Sequence, residues 1–390
     1  MRSRTSDSIS SHEVHECAIQ GLLQAKLLKD HGWLCSAVVV WNVLLRAAAR
    51  MTSVFAACRD LANAPSDQAM YDALKDGLPK TLPVLERRLN EALMSGSLPR
   101  WMRRRKWEVA IDWHLEPYYG EPQHSRNELY YGKPQAGTTK FHAYATACIV
   151  QYGVRYTLAL TWVRRHEKTV VVLKRLLARI REIELKIGCM LLDRAFYNVP
   201  VIQWLQAEEL PFLMPVVFRG RPPKKGRPRT GLHAIKRQPA GCYSHTLKNG
   251  KQTATVSVYV AYRTHRNRQD GRRVQQKLLF AAWRVTGTPT AIRERYRLRF
   301  GIETSYRQMR QARIVTSSRN PRLRLLFVAV ALILRNLWVW LHQTRLADGT
   351  GEQITLRLER LRFKRLLDWL VHAVTTLLHN GSTPCVQWTA

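Results

Sequence analysis

The chain has 390 residues, a length that suits two or three domains and a sizeable buried core. Its hydrophobic fraction of 46% argues against general disorder. Its formal net charge of +35 is self-repelling and is typical of a protein that binds a polyanion. Nucleic acid is therefore the first expected partner, and an anionic membrane surface is the second.

The cysteines and the apolar runs argue against secretion and against a membrane span. Seven cysteines are scattered without a Cys-x2-Cys pair, which disfavours a disulfide framework or a zinc ribbon. The N-terminus, "MRSRTSDSISSHEVHE", lacks the apolar core of a signal peptide. The runs "WLCSAVVVWNVLLRAAA" and "LLFVAVALILRNLWVWL" both fall short of about 18 uninterrupted apolar residues. We expect buried helices, no membrane partner, and a cytoplasmic protein associated with the nucleoid.

The order of predicted elements divides the chain into five regions. Residues 1–104 read as a helical N-terminal domain, which either binds DNA ends or is only a scaffold. Residues 105–218 predict three strands, a helix, a strand, a helix and a strand, the first part of an α/β core. Residues 219–285 predict a β-rich insertion that begins with the basic loop "RGRPPKKGRPR". Residues 286–345 are helical and complete the core, and residues 346–390 hold a helix and a tail.

Three carboxylates stand where a metal-dependent reaction would need them. Asp112 lies in the apolar run "WEVAIDWHL", and Asp193 ends the run "CMLLD". Glu303 is the only carboxylate between Glu294 and Asp348, in an arginine-rich helix. Each acid alone could be a solvated strand end or a helix cap. Together, two or three converging carboxylates are the oxygen ligand set that Mg²⁺ or Mn²⁺ prefers, and two such ions can activate a water or a 3′-hydroxyl against a phosphodiester.

The helix around Glu303 has a regular pattern. Tyr296, Arg299, Glu303 and Arg310 are spaced so that they share one helical face. One interpretation places arginines there to hold the DNA backbone against the metal site. The other is an ordinary Arg299–Glu303 ion pair, worth only about a few tenths of a kcal/mol on a surface.

These motifs resemble the DDE transposases of bacterial and archaeal insertion sequences. More narrowly, they resemble the subgroup marked by Tyr-x2-Arg-x3-Glu-x6-Lys. Tyr296, Arg299 and Glu303 match this pattern, and Arg310 stands at the place of the lysine. The segments "DRAF" and "AIDWHLEPYYG" match the contexts of the second and first acids of the subgroup, and a β-rich insertion precedes its glutamate helix. The resemblance covers about residues 105–342.

The resemblance implies a ribonuclease-H-like α/β catalytic core with a β-rich insertion and a helical N-terminal domain. It also implies that Asp112, Asp193 and Glu303 are the catalytic residues and bind two Mg²⁺ or Mn²⁺ ions. The predicted DNA contacts are Tyr296, Arg299, Arg310, Arg194, Arg227, Arg229 and Trp283.

Three of these DNA contacts rest on additional signals. Arg227 and Arg229 lie in "KKGRPR", which resembles the Gly-Arg-Pro core of AT-hook peptides, although a basic loop on phosphates is the simpler interpretation. In some relatives a tryptophan of the insertion stacks on a flipped base, and Trp283 is the candidate here. A core or strand-end tryptophan is the more common alternative.

The function implied is a transposase that cleaves transposon ends and transfers their 3′-hydroxyls to target DNA. Its partners would be double-stranded DNA, namely the terminal inverted repeats and the target, bound by a homodimer or a higher oligomer. Two alternatives stay open: a nuclease on the same core without strand transfer, and a non-catalytic DNA-binding protein whose acids are structural. A serine or tyrosine recombinase would have no use for the carboxylates.

Overall fold

The structure is a computed structural model that describes residues 8–93, 98, 100–151, 155–218, 228–266, 271–349 and 355–379. Most of the basic loop "RGRPPKKGRPR", including the predicted DNA contact Arg227, lies outside these residues.

The described residues contain one mixed sheet of nine strands. In chain order the strands are β1 (Lys106–Pro117), β2 (Tyr130–Gln135), β3 (Thr138–Ile149), β4 (Thr157–Val163), β5 (Lys186–Leu192), β6 (Phe212–Pro215), β7 (Gly241–Asn249), β8 (Gln252–Arg266) and β9 (Arg273–Trp283). The spatial order is β2-β3-β1-β5-β6-β9-β8-β7, and β4 also pairs with β3. β1 pairs antiparallel with β3 and parallel with β5, and β5 pairs parallel with β6.

The core strands follow from their composition. β4 is buried along its whole length, and so are the last four residues of β5, as expected for strands covered on both faces. The segment "YYGKPQ" forms β2, in which Tyr130 and Tyr131 pair with Phe141 and Lys140 of β3. Glycine and proline are uncommon inside strands, so the sequence of this segment alone does not predict β2.

The β-rich insertion extends the central sheet. β9 pairs antiparallel with β6, with Phe212 opposite Trp283. β8 and β7 continue outwards from β9. Asn249, the last residue of β7, pairs with Gln252 of β8, so Gly250 and Lys251 form the two-residue turn between the strands, and Gly250 has the positive φ of +59° that such a turn needs.

Thirteen α-helices surround the sheet within the described residues. They are α1 (Ser11–Gln24), α2 (Ala37–Arg50), α3 (Val54–Arg59), α4 (Asp67–Gly77), α5 (Leu82–Leu93), α6 (Arg100–Arg104), α7 (Thr169–Glu182), α8 (Val199–Ala207), α9 (Gly231–Ile235), α10 (Pro289–Arg297), α11 (Phe300–Met309), α12 (Pro321–Thr344) and α13 (Phe363–His379). α4 is capped by Ser66, whose side chain accepts a hydrogen bond from the backbone N–H of Ala69.

The helices from both ends of the chain pack together. α13 packs against α1 and α2, and α5 packs against β4 and α12. The backbone N–H of Asn63 donates to the carbonyl of Leu378 at 2.9 Å. The N-terminal and C-terminal regions, separate in the sequence, therefore contact one another and flank the α/β core.

α12 is long and apolar enough to span a membrane by length and composition, with a mean hydropathy of 1.8 in its most apolar window. However, 89% of that window is buried inside the protein, as in the core helix of a folded domain. Arg335 and Asn336, which interrupt the apolar run, are also buried there.

Candidate active site

The sheet brings Asp112 and Asp193 together. In the parallel pairing of β1 with β5, Ile111 lies opposite Leu192. Asp112 is the next residue of β1, and Asp193 directly follows the last residue of β5, so the two aspartates lie at neighbouring positions. The register of this one parallel strand pair therefore brings together two residues that are 81 positions apart in the chain.

Helix α11 brings Glu303 to the same place. Tyr306 is buried and its hydroxyl donates to the backbone carbonyl of Asp112 at 3.1 Å. The same hydroxyl shares a hydrogen bond of 2.7 Å with Thr146 Oγ1 on β3. Glu303 lies in the first turn of α11, where the helix dipole favours a negative charge.

The side chain of Arg299 contacts all three carboxylates. Its Nη1 donates to Glu303 Oε1 at 3.0 Å, and its Nη2 lies 3.6 Å from Asp112 Oδ2 and 3.9 Å from Asp193 Oδ2. Arg299 is only 6% exposed. The Arg299–Glu303 ion pair that the sequence left open as an alternative is thus part of a four-member charge cluster, in which Arg299 is buried, the two aspartates are half-buried and Glu303 is exposed.

Burial sets the electrostatics of this cluster. It raises the pKa of Asp112 to about 6, although Arg299 works in the opposite direction. Burial also disfavours the charge of Arg299, but Tyr296, Asp112, Glu303 and Asp193 outweigh it and raise the pKa of Arg299. The guanidinium therefore stays charged and balances part of the negative charge of the acids.

The predicted single helix is interrupted beside Arg299. α10 ends at Arg297 and α11 begins at Phe300. Between them the backbone makes tight i→i+3 hydrogen bonds, from Arg299 to Tyr296 and from Ile302 to Arg299, each of 3.0 Å. Tyr296 is buried, and burial raises its pKa well above the usual value for tyrosine.

The other predicted DNA contacts lie outside the carboxylate cluster. Arg194 directly follows Asp193 and is exposed, and Arg229 is exposed before α9. Trp283 is half-buried at the end of β9, where its ring stacks on Phe212 with centroids 6.5 Å apart.

Arg310 is exposed at the end of α11, next to a cleft. The polar residues that line this cleft with it are Glu116, Arg313, Thr316 and Arg324.

Sequence reasoning missed residues that support the site. Tyr306, three residues after Glu303, lies on the same side of the helix, and this spacing was the available signal. Arg295 donates to Glu108 on β1 at 2.7 and 3.0 Å. On the same strand, His114 Nε2 lies 2.6 Å from Glu116 Oε1.

Comparison with known proteins identifies the family. A family described as "Transposase DDE domain" matches residues 103–337, which is more than half of the chain. The chain belongs to this transposase family. Membership implies an enzyme that cuts or transfers DNA, and members generally use divalent metal ions. A comparison with curated proteins finds no match.

The fold is similar to that of a solved transposase. The piggyBac transposase, in a synaptic complex with hairpin DNA, matches with a TM-score of 0.56 and 11% identity, over 95% of this chain and 81% of that chain. At this identity the likeness concerns the fold, and it supports the α/β, ribonuclease-H-like core predicted from the sequence.

The donor set of the cluster fits a hard divalent ion. Asp112, Asp193 and Glu303 offer carboxylate oxygens only, and a nearby cation would favour the charged form of the buried Asp112. However, no three acidic, histidine or cysteine side chains in the described parts of the chain lie close enough together to hold one metal ion. The guanidinium of Arg299 is the cation that the three acids share in this conformation.

Proposed function

We propose that this protein is a DDE-type DNA transposase that cleaves transposon ends and joins their 3′-hydroxyls to target DNA. The observation that carries the proposal is the convergence of Asp112, Asp193 and Glu303 on one buried guanidinium, within a chain of the transposase family. Bringing three negative charges together in a partly buried place costs free energy. Such arrangements are typical of functional sites that use the charge, for example to bind a metal ion.

The three carboxylates would hold two Mg²⁺ or Mn²⁺ ions, the pair typical of phosphodiester chemistry. When bound, such ions activate the nucleophile and stabilise the leaving oxygen. Tyr306 holds the Glu303 helix against the strand of Asp112, so that the acids keep their relative positions. Exposed Arg194, Arg229 and Arg310 would bind phosphates of the DNA backbone.

The proposed substrates are the terminal inverted repeats of a transposon and a target duplex. A homodimer or a higher oligomer would bring two ends together. The net charge of +35 supports this large polyanionic partner, and the place of action would be the cytoplasm, at the nucleoid.

The test is Mg²⁺-dependent cleavage of labelled duplexes taken from the inverted repeats that flank the gene. Gln keeps the size of Glu303 and removes its charge, so we expect Glu303→Gln to lose at least about a hundredfold in cleavage rate while DNA binding and melting temperature stay close to wild type. Asp112→Asn and Asp193→Asn should behave alike.

The matched control is Glu294→Gln, at an exposed acid on α10 that pairs with Arg293 and Arg297. Near-normal cleavage by Glu303→Gln would contradict the proposal.

The same assay separates the alternatives. Strand joining of a cleaved 3′-hydroxyl to a second duplex distinguishes a transposase from a nuclease on the same core. Metal-independent binding without any cleavage would favour a non-catalytic DNA-binding protein.

A further inference from the structure

The guanidinium of Arg299 lies between the three carboxylates that the proposed function assigns to the metal ions. It is 3.0 Å from Glu303, 3.6 Å from Asp112 and 3.9 Å from Asp193. Each of these contacts uses a carboxylate oxygen that a metal ion would also need. A divalent ion and a guanidinium at one position would repel each other, so the two cations compete for the same ligands.

We infer that Arg299 is a positioning residue that acts as the internal counter-ion of the metal-free site and must withdraw before a divalent ion binds. The inference rests on the proposed function, because it takes the three acids to be the metal ligands. Arg suits this role since its five N–H donors are spread over a planar group and can face carboxylates on different sides, whereas the three donors of Lys share one centre.

The Arg299 side chain also makes fewer hydrogen bonds than it could. Its Nε is buried without a hydrogen-bond partner among the described residues, and two of its three carboxylate contacts exceed 3.5 Å. Arg295, one turn earlier, is different: its Nε and Nη2 both donate to Glu108 Oε1, at 3.0 and 2.7 Å, so that its Nε is paired. Arg299 is thus held by charge more than by hydrogen bonds, as a removable cation would be.

The test measures Mn²⁺ binding to the full-length, DNA-free protein by electron paramagnetic resonance. If Arg299 contacts the three acids most of the time, only a small fraction of the wild-type protein can bind Mn²⁺, and the apparent affinity is lowered in proportion to that fraction. We therefore expect Arg299→Gln to bind Mn²⁺ at least about tenfold more tightly. Arg295→Gln, which removes a similar Arg–carboxylate pair outside the cluster, should change the affinity by less than about twofold. The gain should disappear in the Arg299→Gln/Glu303→Gln double variant, since one ligand is then missing.

A melting curve shows whether Arg299→Gln folds. If it does not, Arg299→Lys keeps the charge with fewer donors on a more compact group, which should hold the three acids less firmly and tighten Mn²⁺ binding severalfold. Unchanged or weaker binding in whichever of these variants folds would overturn the inference, and a fall in melting temperature alone would assign Arg299 to stability. That outcome leaves the proposed function intact if wild-type cleavage still needs Mg²⁺ and Glu303. Cleavage that needs neither would instead overturn the proposed function.

Discussion

His142 is a buried histidine that should couple the stability of the core to pH. It lies on β3 with 1% exposure, and neither ring nitrogen has a partner among the described residues. Burial, with a further contribution from the charge of Arg324 that outweighs Glu116, lowers the pKa of His142 to about 3. The unfolded chain takes up a proton near pH 6.5, whereas the folded protein does not. Stability is therefore fully present above pH 6.5 and is lost as the pH falls towards 3.

We expect His142→Leu to remove this part of the acid sensitivity. Between pH 7 and pH 4.5 the wild type should lose about 2–3 kcal/mol more of its free energy of unfolding than the variant does. Urea denaturation at several pH values measures the difference. His124→Leu, at an exposed histidine, is the control and should keep the wild-type slope. Equal slopes for His142→Leu and the wild type would show that His142 does not titrate in this way.

At the scale of elements, side-chain amides bind the edge of β4 that β3 does not cover. Asn90 of α5 bonds both the N–H and the carbonyl of Leu160, each at 2.8 Å. Asn336 of α12 bonds both backbone groups of Thr157, at 2.9 and 2.8 Å, and also donates to the carbonyl of Leu93. Two helices thereby satisfy strand groups that would otherwise be unpaired and buried.

We expect Asn336→Ala to destabilise the protein by about 3–5 kcal/mol, because it leaves several buried backbone groups without partners. Thr344→Ala is the control on the same helix: its exposed hydroxyl donates only to the carbonyl of Trp340, one turn earlier, and its loss should cost less than about 0.5 kcal/mol. Chemical denaturation measures both. A cost for Asn336→Ala no larger than for Thr344→Ala would mean that water replaces the amide.

At the scale of the whole molecule, the charge of +35 predicts how DNA binding responds to salt. If about six to ten phosphates are neutralised, the binding constant should fall by about 10³–10⁵ between 50 and 200 mM salt, because bound counterions are released. A fluorescence-anisotropy titration on a labelled duplex gives the slope. A binding constant that barely changes over this range would exclude an interface dominated by phosphate contacts.

Local sequence determined the core strands, the apolar helix and the three acids. Apolar runs such as "CMLLD" and the lone Glu303 among arginines are local signals, since periodicity and composition act over a few residues. The β-rich insertion was also visible, because its alternation and the Asn249-Gly250 turn are local.

Only the tertiary structure decided how these elements meet. The pairing of β1 with β5 places Asp112 beside Asp193, and no local pattern encodes a partner 81 residues away. Arg299 reaches Glu303 along its own helix, but it contacts Asp112 and Asp193 only because β1 and the end of β5 lie beside that helix. In the sequence, Asn336 interrupts an apolar run, whereas in the fold its amide hydrogen-bonds both backbone groups of Thr157 at the edge of β4. In each case the deciding interaction is long-range, and its free energy depends on burial that exists only once the chain has folded.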